Sequence, residues 1–304
     1  MTTIGPRLSV VIAAHNATAV MAQCLRALAP QCRRDDAEII VADSSDDGTD
    51  RVVSEEFPAV RLLHFDASLT VPELRGKAIA VSRGAVVAIL DPYSVVAEDW
   101  AANVLAAHAR QPHPVIGGSV DKHPGSPGGL LGWAIYLNEY GMFMSPVPRG
   151  PAAIVPGSNV SYKRALLFDG ERARHAVFWK TFVNADAEAG AYPLWLEPGV
   201  RIALDKPVPF FDFMRTRFRH GRCYAAMRVE HRTRPIRWLY AAATPLVPIV
   251  LLARWSRAIW PKRRHRLIYI QTLPLQMALF SVWAFGELAG YLLGAGNSCR
   301  RLFY

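Results

Sequence analysis

The sequence contains few cysteines, and they are widely separated. No C-x-x-C pair and no spacing typical of a metal site occurs among Cys24, Cys32, Cys223 and Cys299. We therefore exclude a secreted disulfide scaffold and expect reduced thiols in a cytoplasmic environment. A signal peptide is not indicated either, because Arg7 is the only basic residue before the apolar run Leu8–Ala14. That run is predicted to be a buried strand.

Acidic residues are scarce in the last third of the chain. Residues 213–304 carry 16 Lys and Arg against only Glu230 and Glu287, whereas residues 1–212 carry 19 against 23. The net charge of +10 therefore divides into about −4 at the front and +14 at the back. This division argues against one uniform nucleic-acid-binding surface, so no nucleic-acid partner is expected. With 304 residues and 51% hydrophobic residues, the chain is large and apolar enough to bury a core.

Short apolar runs alternate with helical patterns through the first 120 residues. The predicted strands are Leu8–Ala14, Glu38–Ala42, Val60–Phe65, Ala85–Leu90 and Val115–Val120. This alternation predicts an α/β fold with a mainly parallel sheet. Ligands bind beyond the carboxyl ends of such strands, where His15, Asp43 and Asp91 stand. For any one of these residues alone, a helix cap or a turn is the alternative interpretation.

Two uncharged apolar runs mark the back third. Trp238–Ala253 is short and contains two prolines, whereas Leu267–Gly286 has the roughly 20 residues that a membrane span needs. Basic residues flank both runs, and two ordinary spans would place the basic loop between them on the far side of a membrane. We therefore favour a re-entrant or interfacial helical hairpin with its basic clusters on the cytoplasmic face. The alternative is a pair of buried core helices in a soluble protein.

Three segments of the front part resemble a known family. The strings LSVVIAAHNA, EIIVADSSDDGT and LRGKAIAVSRGAVVAILDPY are similar, in order and spacing, to the nucleotide-sugar domain of family 2 glycosyltransferases. The clear similarity covers residues 8–120, and a weaker match continues to about residue 222. The resemblance implies a Rossmann-like GT-A domain in residues 1–222. Residues 223–304 are then the basic, membrane-associated helical region.

The resemblance also implies roles for individual residues. The residues expected to bind the nucleotide sugar are Ala14, His15, Asp43, Ser45, Arg75, Lys77 and Asp91. Of these, Asp43 is expected to bind the base. Arg75 and Lys77 are expected to face the diphosphate, in a segment where Gly76 replaces the family's usual Asn. The residues expected to bind the acceptor or its phosphate are Ser158, Asn159, Arg217 and Arg222.

The metal motif of the family is incomplete in this chain. Asp91 matches the first carboxylate of a D-x-D motif, which holds Mg²⁺ or Mn²⁺ against the diphosphate. The second carboxylate is replaced by Tyr93, and a phenol is a poor ligand for a hard cation at neutral pH. Metal binding therefore depends on Asp91 with the diphosphate, or it is lost.

The catalytic base of the family has no clear counterpart. Many members place it in a Glu-Asp pair before a helix, and the matching segment here is Phe178-Trp179-Lys180, without an acid. Asp186 and Glu188 are the nearest carboxylates downstream, and on a helix they point about 200° apart, so only one can face a pocket. We select Asp186 as the catalytic residue. The alternative is that both are solvated helix charges.

Together these features predict a hexosyltransferase-like enzyme at the cytoplasmic face of the bacterial inner membrane. It is expected to move a sugar from a nucleotide-sugar donor, by preference a UDP-sugar, to a polyprenyl phosphate, a lipid-linked saccharide or another lipid. Tyr93 and the missing acid near Lys180 motivate an alternative, a non-catalytic scaffold of the same fold that binds nucleotide or lipid. The sugar, the linkage and the oligomeric state are left open.

Overall fold

The computed structural model describes residues 5–126, 128–189, 192–206, 209–230 and 232–301. The strands are β1 (Leu8–Ala14), β2 (Ala37–Asp43), β3 (Arg61–His64), β4 (Val86–Leu90), β5 (Ser94–Val96), β6 (Val115–Lys122), β7 (Gly150–Ala152), β8 (Asn159–Lys163), β9 (Phe168–Asp169), β10 (Arg172–Ala173) and β11 (Leu194–Leu204). The helices are α1 (Thr18–Arg34), α2 (Thr49–Glu56), α3 (Val71–Ala80), α4 (Trp100–Arg110), α5 (Gly129–Tyr140), α6 (Arg164–Leu167), α7 (Lys180–Ala189), α8 (Phe210–Arg228), α9 (Arg234–Ala243), α10 (Val247–Ile259) and α11 (Arg266–Leu293).

A mixed sheet forms the centre of the front part, with strand order β3-β2-β1-β4-β8-β6-β11-β5 and β7 beside β11. The pairs among β3, β2, β1 and β4 are parallel, as the strand–helix alternation predicts. β8 lies antiparallel between β4 and β6. Every residue of β1 and β4 is buried, because helices cover both faces of a parallel sheet. The predicted α/β class is confirmed, with the parallel pairing concentrated in its first half.

The strand register aligns the carboxyl ends that carry the predicted site. Ala14, the last residue of β1, pairs with Asp43 at the end of β2. Asp43 in turn pairs with His64 at the end of β3. On the other side of β1, Ile12 pairs with Leu90, so Asp91 follows β4 at the same edge. The parallel register therefore places these polar residues along one edge of the sheet.

The chain forms two compact units. Among the described residues, the first combines the chain up to His123 with Phe143–Asp205, and the second combines Pro124–Met142 with residues 206–301. Helix α5 thus packs in the second unit, where Gln276 Nε2 donates a hydrogen bond to the backbone oxygen of Ala134. The sequence boundary at residue 222 falls within α8. As a boundary between functions it stays a prediction.

Two apolar helical segments end the chain, and their presence is confirmed. Arg234–Lys262 and Arg266–Leu293 are long and apolar enough, by length and composition, to cross a membrane. A turn of three residues joins them, and the hydroxyls of Ser256 and Tyr269 are 2.8 Å apart across the pair. In their most apolar windows only 17% and 33% of the residues are buried. Most residues in these windows are therefore not buried within the protein.

Glycines allow α8 and α11 to pack closely in the second unit. A Cβ atom added to Gly221 of α8 would collide with the backbone oxygen of Trp283. Additions at Gly286 and Gly290 of α11 would collide with the backbone oxygens of Phe218 and Arg222. Small residues at helix interfaces let backbones approach each other in this way. The glycines of α11 are therefore packing residues.

The expectation of four reduced thiols is wrong for two of the cysteines. Cys223 of α8 and Cys299 form a disulfide, which links residues 76 positions apart. Sequence spacing gave no indication of this pair, because α11 brings the chain back along α8. Cys24 and Cys32 are free and buried, and burial raises the pKa of each thiol to about 12. These two side chains therefore remain neutral and behave as small apolar residues.

Candidate active site

Asp43 lies at the centre of a hydrogen-bonded group at the ends of β2 and β3. Its carboxylate is fully buried, and its Oδ2 accepts a hydrogen bond from His64 Nδ1 over 2.7 Å. Its Oδ1 accepts one from the Ser45 hydroxyl. The bond to Asp43 raises the pKa of His64, and the nearby Asp50 and Asp66 carboxylates add to that rise. The predicted base-binding residue is therefore held by a hydrogen bond on each of its two carboxylate oxygens.

The loops after β1 and β2 hold each other in place. The Ser45 hydroxyl accepts a hydrogen bond from Asn16 N over 2.8 Å, and Asn16 Oδ1 accepts one from Asp46 N over 3.1 Å. His15 Nδ1 donates to the backbone oxygen of Ser44 over 3.0 Å. Asn16 has a φ of 52°, a left-handed conformation that asparagine tolerates better than most residues. The structure thus brings His15 and Ser45 together, with Ser45 positioning the loop.

Asp91 forms an ion pair instead of presenting free ligands. Its Oδ1 lies 2.7 Å from Arg75 Nη2, and its Oδ2 accepts a hydrogen bond from the Tyr93 hydroxyl over 3.0 Å. Both charged side chains are largely buried. The neighbouring Gly76 is required for packing, because a Cβ there would collide with the backbone oxygen of Ala176. This contact explains why the usual Asn is absent from the segment.

Lys180 is a site residue that sequence reasoning missed. It is the first residue of α7, and its Nζ donates to the backbone oxygen of Val155 over 2.8 Å. Burial lowers the pKa of Lys180 to about 8, with a further lowering from the Arg75 cation and an opposing effect from Asp91. The two charged groups that act on the pKa of Lys180 are the same groups that form the ion pair. No local pattern marks this lysine, apart from its place where the family has an acid.

Ser158 lies beside Asp91 across the sheet. Leu90 pairs with Asn159 in the antiparallel β4–β8 register, so Ser158 and Asp91 adjoin that pair. Ser158 is fully buried, and its hydroxyl has no hydrogen-bond partner among the residues that the structure describes. Arg75 Nε is likewise buried and without a partner there. Buried polar atoms are rarely left unpaired, which marks this corner as a site for a ligand or ordered water.

Asn159 and Lys77 are placed differently from their predicted roles. Asn159 accepts a hydrogen bond from Trp100 Nε1 over 2.9 Å, and its amide donates to the backbone oxygens of Ser119 and Val200. These bonds use both polar atoms of the side chain, and a role of Asn159 in acceptor binding stays a prediction. Lys77 is exposed, and on α3 it points about 200° away from Arg75. The structure therefore does not bring Lys77 to the Asp91 ion pair.

The remaining predicted residues lie in other parts of the chain. In the second unit, the Arg217 guanidinium stacks 4.4 Å from the Trp283 ring, and Arg222 Nε donates to the backbone oxygen of Gly294 over 2.8 Å. The Arg222 contact caps the end of α11. Asp186 belongs to α7 by its backbone, and its side chain lies outside the described part of the structure.

The residues around Asp91 do not fit a resident divalent metal. Within the described ranges, no three His, Cys, Asp or Glu side chains form a group that could hold a metal ion. Both oxygens of Asp91 already bind Arg75 and Tyr93, and Mg²⁺ or Mn²⁺ requires oxygen ligands free of competing cations. Tyr93 acts here as a hydrogen-bond donor to the carboxylate. The groups that contact Asp91 are therefore the partners of an ion pair and not additional metal ligands.

The comparisons with known proteins identify the family and the fold of this chain. The family described as Glycosyl transferase family 2 matches residues 9–168, just over half of the chain. A mannosyltransferase from Pyrobaculum calidifontis, solved with GDP-Man and Mn²⁺, is 18% identical, covers 94% of this chain and 88% of its own, and has a TM-score of 0.58. Residues 1–349 of TarS from S. aureus, solved with UDP-GlcNAc, are 14% identical, with coverages of 95% and 92% and a TM-score of 0.53. No curated protein sequence matches the chain. At these identities the solved structures show a shared fold, which confirms the expected GT-A class.

Proposed function

Because the chain belongs to glycosyl transferase family 2, we propose that it moves a sugar from a nucleotide-sugar donor to an acceptor presented at a membrane. One observation carries the proposal: Ala14, Asp43 and Asp91 converge at the carboxyl edge of the parallel strands, inside the matched region. The two solved relatives were bound to GDP-Man and UDP-GlcNAc. We keep a UDP-sugar as the first donor to test and a GDP-sugar as the second.

The donor is proposed to lie across the end of β1. In the sheet order β2-β1-β4, Asp43 and Asp91 flank that strand, and two strand spacings separate them by about 10 Å. That span suits a nucleoside at one end and a diphosphate at the other. Asp43 and the Ala14–His15 strand end are assigned to the nucleoside. Arg75, beside Asp91, is assigned to the diphosphate.

The transfer itself needs a leaving group and an attacking oxygen. The bond from the anomeric carbon to the diphosphate breaks, and its electron pair leaves with the nucleoside diphosphate. A new bond forms between the acceptor oxygen and the same carbon. Lys180 stands where the family has its base, so we propose a lipid phosphate acceptor, whose oxygen is mostly ionised at neutral pH and needs no base. For a hydroxyl acceptor, Asp186 remains the proposed base.

We propose that the apolar segments Arg234–Lys262 and Arg266–Leu293 attach the protein to the membrane. Large apolar side chains on these segments are exposed, including Trp238, Leu239, Ile249, Leu267 and Phe285. Basic residues follow the first segment at positions 262–266, which suits an anionic lipid surface. We propose an interfacial hairpin at the cytoplasmic face of the bacterial inner membrane. The Cys223–Cys299 disulfide is unusual for a reducing compartment, which makes the redox state of this pair a direct test of that location.

The function is tested by a transfer assay on the full chain in anionic vesicles. UDP- and GDP-sugars are offered with polyprenyl phosphate, and the glycolipid product is detected by mass spectrometry. Product formation supports the proposal. If the protein binds nucleotide but neither transfers the sugar nor hydrolyses the donor, the result would favour the non-catalytic scaffold. Tyr93 and Lys180, which stand where the family has acids, are the reason for considering that alternative. Absence of both binding and transfer with every donor would overturn the enzymatic function.

A further inference from the structure

Resting on the proposed function, we infer that Arg75, Lys180 and Ser158 form a diphosphate site in which two protein cations do the work of a divalent metal. The site belongs to the first unit and lies beside the end of β4. It is proposed to bind the diphosphate of the nucleotide-sugar donor and of the nucleoside diphosphate product. The inference concerns which groups neutralise that diphosphate.

The charges around Asp91 have the sign that a phosphate requires. Arg75 and Lys180 contribute two positive charges, and Asp91 contributes one negative charge. A metal site of the D-x-D type carries a net negative charge before its cation binds, because it is formed by two carboxylates. With Tyr93 in place of the second carboxylate, this corner carries a net positive charge before any ligand binds. A diphosphate is therefore attracted without an added cation.

Several hydrogen-bond donors in this corner are not used in bonds to other described residues. Lys180 Nζ donates to Val155, and an ammonium carries three donor hydrogens. The Arg75 Nη2 group binds Asp91, whereas its buried Nε has no partner among the described residues. The buried Ser158 hydroxyl also has no hydrogen-bond partner among the described residues. Phosphate oxygens accept bonds from each of these donor types, and guanidinium groups suit them especially well.

The backbone brings these donors close to one another. A Cβ placed on Gly157 would lie 3.8 Å from Lys180 Nζ, so the ammonium lies over the Gly157-Ser158 loop. The β4–β8 register places Ser158 next to Asp91, and Asp91 holds the guanidinium of Arg75 at 2.7 Å. The three donors thus surround the end of β4.

Calorimetric titration of the full-length protein with UDP and GDP tests the inference. Each titration is done in EDTA and in Mn²⁺, with uridine and guanosine as ligands that lack the diphosphate. We expect the nucleoside diphosphate to bind in EDTA with an affinity within about threefold of that in Mn²⁺. Lys180→Met is expected to weaken its binding about 10- to 100-fold, the effect of losing one charge-assisted hydrogen bond. Nucleoside binding should be unchanged in this variant.

Control variants separate a lost ligand contact from a lost fold. Arg110→Met removes an exposed positive charge of the same unit and should leave all affinities unchanged. Lys180→Arg keeps the charge and should recover part of the binding. The melting temperature of unliganded Lys180→Met shows whether the variant still folds, because the substitution removes a buried charge that Arg75 repels but also the hydrogen bond to Val155.

Two results would overturn the inference. Nucleoside diphosphate binding that requires Mn²⁺ would do so while leaving the proposed glycosyl transfer intact. An equal loss of nucleoside and nucleoside diphosphate affinity in Lys180→Met would also do so, because the lysine would then act on the pocket as a whole. Absence of any nucleotide binding in either buffer would instead overturn the proposed function itself.

Discussion

The guanidinium of Arg75 lies 2.7 Å from the carboxylate of Asp91, joining α3 to the end of β4. Both side chains are largely buried, so each is the main counter-charge of the other. A hydrogen bond from Tyr93 completes the environment of the carboxylate. The residue that family resemblance assigns to a metal is therefore held by an arginine.

Breaking this ion pair should destabilise the first unit. Arg75→Met leaves the Asp91 carboxylate buried without its cation, so the free energy of unfolding should fall by about 3 kcal/mol. The double variant Arg75→Met/Asp91→Asn should lose less free energy of unfolding than the Arg75→Met and Asp91→Asn variants lose in sum. The difference should be about 1–3 kcal/mol, because the two residues are coupled. Urea unfolding of the four proteins measures both quantities. Additive losses would show that the pair is not coupled.

Removing the Asn159 side chain should affect stability and not nucleotide binding. Asn159→Ala deprives buried Trp100 Nε1 and two backbone oxygens of partners, with an expected loss of about 2–3 kcal/mol. Asn103→Ala is the matched control, because Asn103 makes one bond, to the backbone oxygen of Gly199, and should lose about 1 kcal/mol. Unfolding curves and nucleotide titration test this. Weaker binding with unchanged stability would restore Asn159 to the ligand pocket.

The His64–Asp43 pair should make stability depend on pH. The folded-state pKa of His64 is raised by Asp43, with Asp50 and Asp66 adding to the rise. The stabilisation is therefore fully present below the unfolded-state pKa of histidine and is lost as pH rises through the raised folded-state value. The His64→Gln variant lacks this stabilisation. The difference in melting temperature between the wild-type protein and the variant should therefore narrow from pH 5 to pH 9. A gap that widens with pH would contradict this sign.

Loss of the disulfide should destabilise the second unit. Cys223 and Cys299 close a long loop, and the chain-entropy model assigns such a link roughly 4 kcal/mol. Cys223→Ser/Cys299→Ser and the reduced wild-type protein should therefore melt at similarly lowered temperatures. Alkylation of the oxidised protein before mass spectrometry should label neither of these cysteines. Labelling of both in protein purified without reductant would show that they are free thiols.

The basic connection between the two apolar segments should strengthen membrane binding. Replacing Lys262, Arg263 and Arg264 by Gln should weaken binding to anionic vesicles by about 1 kcal/mol per charge at low salt. Binding to neutral vesicles should change little. Arg110→Gln is a control that removes one exposed charge of the first unit, away from the basic residues that flank the apolar segments. Vesicle flotation at two salt concentrations measures the effect, and equal losses on both lipids would rule out an electrostatic origin.

The front sheet could be predicted from sequence because the central strands β1, β2 and β4 contain continuous apolar runs. Leu8–Ala14 was predicted without error, and the predicted strand Glu38–Ala42 is extended by one residue at each end in β2. The strands end in polar residues, so a general rule for α/β sheets sufficed to place Asp43 and Asp91 at one edge. Local pattern and tertiary packing agree at these positions.

The sequence by itself determined the strand–helix alternation, the family resemblance, the two apolar segments and the uneven distribution of charge. These properties follow from local hydrophobic pattern and composition. Only the tertiary structure decided that Arg75 pairs with Asp91, that Asn159 accepts a hydrogen bond from Trp100, and that Cys223 pairs with Cys299. Such relationships depend on contacts between residues far apart in the chain, which no local period encodes. Packing therefore decided which polar side chains remain available for chemistry.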